Sequence, residues 1–160
     1  MKKLLFLFIF LAGLVFTSCE DKSPVLTETQ KAAIEKQVLE QWEKIGAAIE
    51  NADAQGYASF LSYDGFFNMF SQGYSYCTRE QYVDTVKVWF GQRKSNEQQN
   101  KKIKVNVLST NMVLLDQESV FIATFKDDRI LKINHIVSFL FKKEGTGWMI
   151  IHGHESWKGV

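Results

Sequence analysis

Gly147-Trp148-Met149-Ile150-Ile151-His152-Gly153-His154-Glu155-Ser156-Trp157 closes the chain a few residues before its last. It reads as a β-strand. Successive side chains of a strand point to opposite faces, so Trp148, Ile150, His152, His154 and Ser156 share one face of a sheet. That face starts apolar and ends polar, as expected of a pocket wall that is dry at its base and wet at its mouth. The opposite face carries Met149, Ile151 and Trp157, which is apolar too and calls for cover.

Working back from this strand, turn residues separate a series of apolar runs. Glu144-Gly145-Thr146-Gly147 leads into the closing strand, and Asp127-Asp128 separates a run over 130–141 from one over 120–125. Asp116-Gln117-Glu118 reads as a further turn, preceded by Met112 to Leu115 and by alternating Ile103, Val105 and Val107. Residues 93–101 are wholly polar and read as a loop.

Upstream the period changes to helical. Thr27 with Gln30 three residues on has the pattern of a capping box, and Ile34, Val38, Trp42, Ile45 and Ile49 follow at helical spacing, which predicts a long amphipathic helix over 28–50. Asp53 caps a second, short helix carrying Tyr57, Phe60 and Leu61 and ending at Asp64-Gly65. Residues 66–70 and 74–76 read as a small hairpin around Ser71-Gln72-Gly73. Thr78-Arg79-Glu80-Gln81 repeats the capping pattern and opens a third helix that Gly91 terminates. Helices gathered early and strands late indicate an α+β domain.

Residues 1–18 are an export signal: two lysines, then an apolar run from Leu4 to Phe16 that is shorter than the roughly 20 residues of a membrane-spanning helix. Thr17-Ser18-Cys19 resembles the lipobox of bacterial lipoproteins, with Phe16 departing from the leucine preferred there. The resemblance implies acylation of Cys19 and a lipid anchor in a bacterial membrane, facing the periplasm or the surface. Residues 19–26, with the sole proline Pro24, form a linker, and 27–160 form one domain. Losing Lys2 and Lys3 leaves 17 basic against 18 acidic residues and no basic block, so there is no electrostatic footprint for nucleic acid. With Cys19 acylated, Cys77 has no disulfide partner and reads as a buried thiol. Nine of the 13 phenylalanines and all 4 tryptophans remain, which is enough for one substantial core.

The order of helix, short helix, hairpin, helix and long strands, closing on Trp148, Ile150, His152, His154 and Ser156, resembles the nuclear transport factor 2-like superfamily and, within it, the SnoaL-like branch. The resemblance spans about Thr27 to Trp157. It implies a cone, in which a strongly curved antiparallel sheet wraps the long N-terminal helix around an apolar pocket. Ketosteroid isomerases of this shape use a carboxylate base about where Asn68 falls, and an amide cannot serve as one. Dehydratases of this shape use a histidine, an aspartate and tyrosines, which makes His152 or His154, with Tyr63, Tyr74 or Tyr76, candidates for catalysis.

The expected pocket therefore comprises Trp42, Tyr63, Asn68, Tyr74, Trp148, His152, His154 and Ser156. His152 and His154 could instead complete a structural hydrogen-bond network. A metal between them would need His135 or Glu155 as third ligand, and the spacing fixes neither, so no metal and no cofactor is expected. Large aromatics such as Phe60, Phe66, Phe70, Trp89, Phe139 and Phe141 read as core. The expected function is an envelope lipoprotein binding a small apolar or amphipathic molecule. An enzyme using the pocket histidines and a dimerising interaction module are the alternatives. A homodimer is expected, with a second copy covering Met149, Ile151 and Trp157.

Overall fold

A computed structural model describes residues 25–64 and 67–160. The expected signal segment, Cys19 and most of the linker lie outside the described residues. Among the described residues, no helix is long and apolar enough to cross a membrane.

The first helix, α1 (Glu28–Glu50), begins as its sequence dictates: the Thr27 side chain accepts from the Gln30 amide, and the Gln30 side chain accepts from the Thr27 amide. Its apolar stripe buries Val38, Trp42 and Ile45. The short α2 (Ala54–Ala58) is capped by Asp53, which accepts from the Gly56 amide, and it ends well before Asp64. Strands β1 (Asn68–Ser71) and β2 (Tyr74–Tyr76) form the hairpin. Then α3 (Arg79–Gly91) starts from Thr78, whose side chain accepts from the Gln81 amide. Gly91 is the last helical residue and Gln92 the cap.

Four long strands follow: β3 (Arg93–Ser109), β4 (Met112–Phe125), β5 (Ile130–Glu144) and β6 (Gly147–Gly159). They complete a six-stranded sheet of order β2-β1-β6-β5-β4-β3, antiparallel except that β1 runs parallel to β6. The architecture is the expected mixed α+β domain, a curved sheet with the N-terminal helix against its inner face. Trp42 of α1 meets Phe139 and Phe141 of β5 with ring centroids 5.5 and 6.4 Å apart.

Besides the end of α2, two predicted boundaries are corrected, for one physical reason. Asp116-Gln117-Glu118 is not a turn: β4 runs straight through it, with Asp116 and Glu118 on the outer face and Gln117 buried on the inner. Gln117 is admitted to the core because the Trp42 indole Nε1 donates to its Oε1 over 2.8 Å, and its own Nε2 donates to Gln98 Oε1 over 2.9 Å. The polar stretch 93–101 is likewise not a loop but the first half of β3. Two of its inward residues are polar and satisfied: Gln98 through Gln117, and Asn96 through Nδ2, which donates to the Ile49 carbonyl at the end of α1 over 2.6 Å. Hydrophobic alternation is silent where inward positions are filled by bonded amides. Cys77, expected to be buried, is exposed.

Candidate functional site

The closing strand decides which residues face the interior. Along β6, Lys143 pairs Trp148 and Phe141 pairs Ile150, but Leu140 then pairs His152, so Ile151 is an extra residue without a partner on β5. A bulge of this kind reverses the facing of everything beyond it. Trp148 and Ile150 point to the core as expected, while beyond the bulge the inward residues are Gly153, Glu155 and Trp157. They stand opposite Phe139, Val137 and His135.

His152, His154 and Ser156 therefore fall on the outer face. His152 sits edge-on to Phe70 of β1, with ring centroids 5.9 Å apart, and His154 and Ser156 are exposed. Two signals in the sequence mark the bulge: the apolar pair Ile150-Ile151 breaks strict alternation, and Gly153 interrupts a strand. A Cβ at Gly153 would lie 2.5 Å from Met69 Sδ and 2.5 Å from the Phe139 ring, so the inner face is closed there by neighbouring side chains.

Beyond Gly153 the sheet and the helices part around a cavity of about 450 Å3, within the range of roughly 300–1,000 Å3 common for small-molecule sites. Its apolar wall comes from Ile49 of α1, Val86, Trp89 and Phe90 of α3, Phe121 and Phe125 of β4, and Leu131 and Ile133 of β5. The polar groups are Tyr57, Ser71, Tyr82, Arg93, His135 and Glu155, and Gln72, Tyr74, Gln92, Gln98 and Trp157 complete the lining.

Of the eight residues expected to line the pocket, only Tyr74 does so. Trp42 and Trp148 are core side chains, their indoles donating to Gln117 and to Gln37 respectively. Tyr63 is 76 % exposed and lies under the Arg79 guanidinium, 3.8 Å from its ring centroid. Asn68 pairs with His152 at the β1–β6 junction. Trp89, read as core, packs against the core and also lines the cavity.

Glu155 is the polar centre. The Tyr82 hydroxyl donates to its Oε1 over 2.9 Å and the Ser71 hydroxyl donates to its Oε2 over 3.1 Å. The Tyr57 and Tyr82 oxygens are 3.2 Å apart. A phenol has one proton, and that of Tyr82 goes to Glu155, so Tyr57 donates to Tyr82. Burial, then the nearby Glu155 charge, pushes both phenols well above their ordinary pKa, which keeps them protonated as donors.

His135 stands one pair along from Glu155 on the same face, since Trp157 is its partner across the sheet and Val137 that of Glu155. Its ring meets Phe121 with centroids 5.6 Å apart, and its Nδ1 is buried with no hydrogen-bond partner among the described residues. Burial lowers its pKa, opposed by Glu155 and reinforced by Arg93, so the ring is held neutral. Because His152 and His154 face outward and His135 and Glu155 inward, the four do not share one site. Among the described residues, no group of three His, Cys, Asp or Glu side chains gathers to hold an ion.

The comparisons agree with this architecture. The sequence signature of the SnoaL-like domain matches residues 36–158, and the chain belongs to that family. None of the curated proteins matches the chain by sequence. Among solved structures, a proposed scytalone dehydratase from Novosphingobium aromaticivorans superposes with TM-score 0.73 at 8 % identity, covering 82 % of this chain and 89 % of that one. A nuclear transport factor 2-like protein from Salmonella enterica gives 0.71 at 14 % identity, covering 81 % and 94 %. A hexachlorocyclohexane dehydrochlorinase from Novosphingobium barchaimii gives 0.66 at 10 % identity, covering 84 % and 94 %. At such identities the likeness is one of fold.

Proposed function

We propose that the domain binds a small, largely apolar molecule in this cavity and moves a proton on it, with His135 as the base. The observation that carries this reading is the half-buried, neutral imidazole of His135 on the cavity wall, in the same cavity as a carboxylate. A neutral imidazole in a dry site is a competent proton acceptor near neutral pH, and the charge it gains has Glu155 on the same face to stabilise it. Dehydration, isomerisation and dehydrohalogenation all begin with such a transfer, and neighbours of the same shape include a dehydrochlorinase.

One observation favours a second reading, in which the pocket only binds. Glu155 is engaged by Tyr82 and Ser71 rather than by His135, so it does not fix the ring as an acid partner bonded to it would. The two readings separate in deuterium oxide with a panel of aryl β-hydroxy ketones at concentrations that saturate the tryptophan fluorescence change. Proton transfer predicts elimination or deuterium incorporation by NMR, lost in His135→Asn. Binding without either reaction in the parent assigns the domain to the non-catalytic class.

The lipobox-like Cys19 further supports a tether to a bacterial envelope membrane, which a Cys19→Ser variant should release from the membrane fraction. The homodimer has a weaker basis than the sequence suggested, because Trp157 faces the cavity and Ile151 is only 8 % exposed. What the outer face does present is Phe70 and Ile136, 38 % and 50 % exposed, and a second copy packed there would cover both. Sedimentation of residues 27–160 at micromolar concentration tests it, and a strict monomer would remove it.

A further inference from the structure

Arg93, at the start of β3, is a cation on the cavity wall with no carboxylate bonded to it among the described residues. Its guanidinium lies 5.3 Å from the Phe121 ring centroid and 5.7 Å from that of Phe90, between two apolar walls. Its Nε is buried without a hydrogen-bond partner, and among the described residues its one side-chain hydrogen bond is a long 3.4 Å bond to Asn96 Oδ1 and no carboxylate pairs with it. Glu155 shares the cavity but is held by Tyr82 and Ser71. A half-buried guanidinium set between two apolar rings, with no carboxylate bonded to it, keeps donors that something outside the fold can complete.

We propose that the cavity takes a small monocarboxylic acid with an apolar, flat body, its carboxylate on Arg93 and its body between Phe90, Phe121, Trp89 and Ile133. This rests on the reading of the cavity as a small-molecule site and does not require that chemistry follows. The planar donor fork of Arg matches a carboxylate in two bonds. Size and wall chemistry suit a two-ring acid, and the single unpaired cation, with Glu155 in the same space, suits one negative charge and disfavours two. Burial lowers the pKa of Arg93, as desolvation of its charge requires, and Glu155 only partly opposes the shift.

The test uses 2-naphthylacetate, its uncharged amide and the dianionic 2-naphthyl phosphate, titrated against residues 27–160 at about pH 8 by quenching of Trp89 and Trp157. The acid should bind roughly 10- to 100-fold more tightly than the amide, the value of a charge-assisted pair, and more tightly than the phosphate. Arg93→Gln should bring the acid down to the level of the amide while amide binding persists, which also shows that the pocket is intact. Arg93→Lys, kept as the second variant should the first not fold, should lose part of the preference. Acid and amide binding alike in the parent, no binding of either at millimolar concentration, or a preference unchanged by both substitutions overturns the proposal. An Arg93-dependent preference for the acid without any reaction in deuterium oxide leaves the carboxylate site standing and removes only the proton-transfer reading.

Discussion

The Tyr82 hydroxyl donates to Glu155 Oε1 over 2.9 Å, joining the third helix to the closing strand inside the cavity. Tyr82 is buried, and its oxygen also accepts from Tyr57, so a single phenol links two helices and a carboxylate. This chain, and not the outward histidines, fixes the polar end of the cavity.

Tyr82→Phe removes that oxygen and leaves Tyr57 without its acceptor and Glu155 with one donor fewer. Orphaned buried groups of this kind cost about 1–3 kcal/mol, so chemical denaturation should show a loss of that size, with the melting temperature several degrees lower. Ser71→Ala, which removes the other donor to Glu155, should show a smaller loss because a single bond is broken. Equal stability of parent and Tyr82→Phe would mean that water replaces the phenol without penalty.

His135 gives a pH dependence of defined sign. Its pKa in the folded protein lies below the ordinary 6.5, chiefly through burial. Between those two values the unfolded chain binds a proton that the folded chain does not, so stability falls as pH falls through the window below 6.5 and is unaffected by this group above it. Thermal melts of the parent should therefore drop between about pH 7.5 and about pH 5.5 by more than those of His135→Asn, which has nothing to protonate. A parent and variant with parallel profiles would show that the imidazole is solvated in the fold.

Local chemistry made the helices legible. Thr27 with Gln30 and Thr78 with Gln81 name their own helix starts, because capping is satisfied within four residues. The sheet was legible where its inward positions are apolar, from Val137 to Phe141 and at Trp148 and Ile150. It was not legible where the interior is amide rather than hydrocarbon: Gln117 and Gln98 look like surface until Trp42, far away in sequence, is seen to bond Gln117. Beyond Ile151 the facing expected of β6 is off by one residue. The adjacent Ile150 and Ile151 and the following Gly153 hint at a bulge without placing it, and it is the lack of a β5 partner for Ile151 that turns Glu155 inward and His154 outward. His135 and Glu155 appear in the sequence only as alternative third ligands for a metal, and Arg93 lies in a polar run whose pattern carries no functional signature, so nothing local joins the three.

Gly153 should tolerate no side chain, although its backbone is ordinary strand. A Cβ there meets Met69 Sδ and the Phe139 ring at 2.5 Å, and Phe139 is itself pinned against Trp42. Gly153→Ala should therefore destabilise the fold by about 1–3 kcal/mol, the usual penalty of overfilling a packed interior. The companion Gly153→Ala/Met69→Ala variant, in which the flexible neighbour is cut back, should recover part of the loss in urea unfolding. No recovery would place the clash on Phe139 alone.

The outward histidines provide the sharpest contrast between the sequence pattern and the fold. His154→Ala removes an exposed side chain with no hydrogen bond to another described residue, so stability should change by no more than about 0.5 kcal/mol, the range of ordinary surface changes. His152→Ala loses an edge-on contact with Phe70, worth about 0.5–1.5 kcal/mol at most for a partly exposed pair. Neither should alter binding of a cavity probe, whereas His135→Ala should weaken or abolish any reaction while leaving His152 and His154 in place. The three variants therefore form one experiment, read by fluorescence titration and by product formation under identical conditions. Loss of probe binding in His154→Ala, with the fold intact, would mean that the ligand enters from the outer face and that the cavity beside Glu155 is not the site.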